Sequence, residues 1–142
     1  MHPRAELRNT VQELLIDAAT IAGERVFKTR TRPVRDDAIP CILIFTTDEQ
    51  ADEENSADQS YKEGIIRVIL KLQLWINTTT EESNTDDDLD EFCGVVKGIL
   101  KQERSWPSTL FSPVYQSTNT RQEEADKRLL WALMTFRFSY LD

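Results

Sequence analysis

Residues 65–77 read Ile65-Ile66-Arg67-Val68-Ile69-Leu70-Lys71-Leu72-Gln73-Leu74-Trp75-Ile76-Asn77. From Ile66 every second residue is aliphatic, and Arg67, Lys71, Gln73 and Asn77 fall between. A period of two puts the aliphatic side chains on one face of a β-strand and leaves the other face partly wet. The end of the chain repeats the pattern, with Leu130, Ala132, Met134, Phe136, Phe138 and Tyr140 on one face and Trp131, Leu133, Thr135, Arg137 and Ser139 on the other. Two strands of this kind predict a shared sheet. At about 3.3 Å per residue such a strand runs roughly 40 Å, about twice the usual length. Strands that long either project past the local core onto a neighbouring subunit or bend and bulge within one chain.

The other elements follow from periodicity. Leu7, Val11, Leu14, Leu15, Ala18 and Ile21 make one apolar stripe on a helix over residues 5–22, with Gly23 as its stop. Arg25, Lys28, Arg30, Arg32 and Arg35 then form a basic segment in an otherwise acidic chain, and residues 25–31 alternate well enough for an edge strand that Pro33 ends. Such a segment is either a contact patch for an acidic partner or a charge-guarded edge. Residues 41–46, Cys-Ile-Leu-Ile-Phe-Thr, suit a strand covered on both faces. The acidic stretch 47–63 is expected as a long loop that is solvated or orders on a partner. Thr85 and Asp88 have capping-box spacing ahead of a second amphipathic helix carrying Leu89, Phe92, Cys93, Val96, Ile99 and Leu100. A weaker strand over 109–120 and a turn over 121–127 lead into the closing strand. The sum is a single α+β domain over residues 1–142, a largely antiparallel sheet with two main helices packed on one face.

Composition narrows function. Seventeen basic against 25 acidic residues give a net charge of −8, which disfavours general binding to nucleic acid or anionic membranes. No apolar run approaches about eighteen residues, and the N-terminus lacks the basic-then-apolar form of a signal peptide, so an intracellular protein is expected. Cys41 and Cys93 sit in apolar patterns and are expected as buried free thiols.

Chemistry is hard to assemble from these residues. His2 is the single histidine and the four glycines form no phosphate loop. The two cysteines are far apart, which argues against zinc. The acids at 86–91 lack the glycine turn and distal glutamate of a calcium loop, so helix capping accounts for them. No catalytic residue, metal or cofactor is expected, and the chain is read as a non-enzyme. Trp75 and Trp131 fall on the partly wet face, either as exposed contact indoles or covered by the segment around Trp106 and Phe111.

Taken in order, these elements resemble the tail terminator (minor tail protein U, lambda-like) family of long-tailed bacteriophages. The likeness rests on Glu6-Leu7-Arg8 with Val11, on Arg32-Pro33-Val34, and on Ile39-Pro40 leading into the 41–46 run. It continues through Glu53-Glu54 in the acidic loop, the alternating strand 66–76, the helix opening at Leu89-Asp90 and the closing hairpin 124–140. The resemblance implies a subunit of a hexameric ring that caps the finished tail tube, stops its polymerisation and offers the surface to which the head attaches. Its partners would be the tube protein and head-neck connector proteins, with DNA only as passing cargo, in the host cytoplasm during assembly and then in the virion tail. It further implies a subunit interface through Arg67, Lys71, Trp75, Trp131 and Arg137, and tail or head contacts through Arg30, Arg32, Arg35, Glu53 and Glu54. A different phage neck protein, for head-tail joining or tail completion, and an unrelated intracellular binding domain are the alternatives.

Overall fold

A computed structural model describes residues 2–31, 38–51, 65–77, 85–102, 106, 113–123 and 129–141. The order is α1 (Pro3–Asp17), β1 (Val26–Phe27), β2 (Cys41–Ala51), β3 (Ile65–Asn77), α2 (Thr85–Lys101), β4 (Val114–Gln122) and β5 (Leu129–Leu141). The five strands form one sheet in the order β1-β2-β3-β5-β4. β1 runs parallel to β2, and every other pairing is antiparallel. This is the α+β fold expected from the alternation.

β3 and β5 pair without a break from Ile65 opposite Leu141 to Asn77 opposite Leu129. Because side chains opposite one another share a face, the two aliphatic sets fall together. Leu70, Leu72, Leu74, Ala132, Met134, Phe136 and Phe138 are fully buried. α2 covers them with Leu89, Phe92, Cys93, Val96 and Leu100, and α1 extends the same core over β1 and β2 with Leu7, Val11 and Leu15. Spacings of three and four residues put each of these sets on one helical face. Trp106 closes the core at one end, its ring edge-on to Phe138 with centroids 5.2 Å apart.

Several boundaries differ from the sequence reading, each for a physical reason. α1 begins at Pro3, where a missing N–H costs nothing, and the His2 Nδ1 caps it by accepting from the Arg4 N–H at 3.1 Å. It ends at Asp17 rather than near residue 22, because Ala19 takes a left-handed φ of 52° and turns the chain toward β1. Gly23, φ 58°, serves a second turn instead of the helix stop. β1 is two residues long rather than seven. Beyond Phe27 the carbonyl of Thr46 on β2 is taken by the Arg30 guanidinium at 2.7 Å, where a longer strand would have paired. β2 in turn runs to Ala51, so the first part of the expected acidic loop is strand, carried past an irregularity between Thr46 and Glu49. The expected turn over 121–127 begins later, since β4 extends to Gln122.

Two outcomes follow. Phe136→Ala removes a fully buried ring from the centre of the sheet and should cost about 3–5 kcal/mol in urea unfolding. Ala19→Gly relieves a left-handed alanine on an exposed turn and should raise stability by about 1 kcal/mol in the same titration.

Candidate assembly surfaces

The face of the sheet away from the helices carries the odd-numbered residues of β3 and β5. Register places Arg67 opposite Ser139, Ile69 opposite Arg137, Lys71 opposite Thr135, Gln73 opposite Leu133 and Trp75 opposite Trp131. All five residues assigned to a subunit interface, Arg67, Lys71, Trp75, Trp131 and Arg137, therefore share this helix-free face.

The face is not uniform. At one end Trp75 and Trp131 stack with centroids 5.4 Å apart and planes 20° from parallel. Ile39, Cys41, Leu43 and Leu129 join them in a second, smaller apolar cluster, with Phe27 packed alongside. Trp75 is only 4% exposed, and its indole N–H donates to the Gln73 Oε1 at 3.2 Å. Its cover comes from the residues around Ile39 and Cys41. Trp106, one of the covers considered from sequence, packs on the opposite face. Trp131, Arg67, Lys71 and Arg137 are half-buried. At the other end a cavity of about 220 Å³ is lined by Asp48, Gln50, Arg67, Ile69, Gln116 and Arg137, a polar depression in contrast to the indole stack.

A second surface lies where α1 meets the β2 edge. Here a groove of about 610 Å³ is lined by the capping His2 and by Arg4 and Arg8 of α1, by Lys28, Thr29 and Arg30 after β1, and by Ile44, Phe45 and Thr46 of β2. Arg8 donates to the Thr46 Oγ1 at 2.7 Å, and the Lys28 ammonium to the Asn9 Oδ1. The Arg30 guanidinium lies over the Phe45 ring, 5.2 Å from its centroid. Glu49 answers only the helix end of the groove, 3.8 Å from Arg4 Nε and 4.0 Å from His2 Nε2, while also accepting from the Tyr140 hydroxyl.

Of the residues assigned to tail or head contacts, Arg30 stands in this groove. Arg32, Arg35, Glu53 and Glu54 lie outside the described residues. Arg25, the first cation of the basic segment, faces inward and ties two loops together by donating to Pro40 O at 2.8 Å and Ile21 O at 3.1 Å. Sequence reasoning missed the contribution of α1. Arg4 and Arg8, one helical turn apart, share a face, and that spacing was the available signal.

No group of three or more His, Cys, Asp or Glu is placed to hold a metal ion among the described residues. Both cysteines are buried thiols outside any disulfide. Burial, and secondarily the carboxylate of Asp90, push the Cys93 thiol from 9.0 up to about 11. A hollow of about 360 Å³ opens between Ile21, Ile39, Pro40 and Ile76 on one side and Asp88, Glu91, Phe92 and Val95 of α2 on the other.

The raised thiol fixes a pH response. Folding favours the protonated form, so the stabilisation from Cys93 is fully present below pH 9 and fades as pH rises through about 11. A thiol reagent at pH 8 should modify the native chain far more slowly than the urea-unfolded chain. In a Cys93→Val variant the loss of stability between pH 9 and 11 should be smaller.

No protein-family model and no curated protein matches this sequence. Among solved structures, the fold is similar to a chain in the virion of a native gene transfer agent particle, with a TM-score of 0.63 and 11% sequence identity over 100% of both chains.

Proposed function

We propose that this chain is a structural protein of a phage-like virion and that it acts as a tail terminator, a ring-forming subunit that caps the tail tube, stops its growth and presents the head-attachment surface. The observation that carries the reading is the end-to-end likeness of its fold to a chain of a gene transfer agent virion. The order of elements supports the finer assignment, because it follows the lambda-like tail terminator pattern. The fold is also suited to assembly. One face of its sheet is covered by helices, and the other presents half-buried Arg67, Lys71, Trp131 and Arg137.

In this reading the protein works by complementarity of shape and charge, without turnover. Trp75 anchors the indole stack from within the subunit, and Trp131 with the three cations meets the neighbour. The head and the tube bind opposite rims of the ring, which are built from loops.

Tube protein encoded beside this gene, polymerised in vitro with and without the purified chain, provides the test by negative-stain electron microscopy. The expected result is tubes of limited length with added density at one end. Tubes that elongate equally in its presence, with bare ends, would overturn the terminator assignment. Binding to a head connector in place of the tube would mark a different neck protein.

A further inference from the structure

Among the described residues, three cations of the groove between α1 and the β2 edge have no carboxylate partner. Arg8, Lys28 and Arg30 are held by a threonine hydroxyl, an asparagine amide oxygen and a main-chain carbonyl, and both ion pairs at this surface belong to Glu49 with His2 and Arg4. Neutral acceptors orient a cation and leave its charge available. Phe45 flanks Arg30 with an apolar ring, which shields that side of an entering carboxylate from water.

The complementary surface is on the same chain. Asp86, Asp87, Asp88, Asp90 and Glu91 crowd the first two turns of α2, all exposed, and none is in an ion pair among the described residues. The positive end of the helix, equivalent to about half a charge, offsets only part of their number. Asp88 and Glu91 lie beside Ile76 and Asn77 at the end of β3. The groove lies beside Ile44 and Thr46, which pair with Leu72 and Leu70. Four to six residues of strand separate the two levels, roughly 13–20 Å at the usual rise. The acidic start lies by Ile39 and Pro40 ahead of β2, whereas the groove lies further along that strand at Ile44 to Thr46. One molecule cannot close this contact on itself, but two copies placed head to tail can.

We infer that the Arg8, Lys28 and Arg30 groove of one subunit receives the acidic start of α2 from a second copy of the chain. The two patches differ, so the contact is heterologous, and repetition with the right rotation closes a ring. A second copy supplies the complementary patch itself, in the exposed carboxylates at the start of α2. The inference rests on the ring reading given above and assigns Arg30 a partner inside the ring, in place of a tail or head protein.

Light scattering on the full chain over a concentration series, at low salt and at about 0.5 M salt, provides the test. Wild type should show concentration-dependent assembly that salt weakens. Lys28→Glu with Arg30→Glu should weaken assembly at least about tenfold, as should Asp87→Lys with Asp90→Lys. All four positions are exposed, and circular dichroism confirms that each variant is folded. An equimolar mixture of the two variants should recover assembly, since in an alternating ring the reversed groove meets the reversed α2 start and the native groove meets the native one. The chain carrying all four changes should regain assembly, an outcome that misfolding cannot produce. Assembly that survives both reversals overturns this contact while leaving the ring in place. A wild type that stays monomeric throughout overturns the contact too, and tube-end binding then decides separately whether the terminator reading stands.

Discussion

The whole architecture depends on the unbroken pairing of β3 with β5. Residue follows residue in register from one end of the strands to the other, and the second helix packs on side chains these two strands supply, while α1 packs over β1 and β2 alongside. A slip of one residue on either strand would exchange Phe136 and Phe138 for Thr135 and Arg137 beneath the helices. The penalty for that exchange is the burial of a guanidinium against leucines, which explains why the register is so strongly specified. β1, β2 and β4 attach to this pair and inherit its orientation.

Much of this was legible in the sequence because alternation is a local signal. The aliphatic positions of β3 and β5, the continuous run of β2 and the stripes of both helices are written in spacings of two, three and four, and each lands where those spacings put it. The boundaries were less legible. Nothing in the residues near 19 marks a left-handed alanine, since the turn is imposed by the need to bring Val26 beside Ile42. The shortness of β1 follows from a side chain, Arg30, reaching a carbonyl sixteen residues away, a competition that periodicity cannot register.

The assembly surfaces divide in the same way. That Arg67, Lys71, Trp75, Trp131 and Arg137 share one face follows from parity alone. That Trp75 is covered while Trp131 is half-buried does not, because the cover comes from Ile39 and Cys41. The groove was half visible. The basic segment after β1 stands out in an acidic chain, but its completion by Arg8 from the first helix is a product of folding. A net charge of −8 conceals this separation, with cations gathered at one edge and carboxylates at the start of α2.

The irregularity in β2 has a further effect. Between Thr46 and Glu49 the strand uses two residues, Thr47 and Asp48, where β3 offers one. Parity inverts there. Before it the even-numbered side chains of β2 point to the helices, and after it the odd-numbered ones do, so Glu49 meets Tyr140, His2 and Arg4, while Asp48 and Gln50 line the hollow with Arg67 and Arg137. The placement of these charges is thus set by a count of residues as much as by their chemistry. Loss of a single residue at 47 or 48 would leave one residue opposite Ile69 and restore plain alternation with Glu49 still opposite Val68, so the extra residue adds local bend and twist to the strand between the two surfaces without altering the pairing on either side.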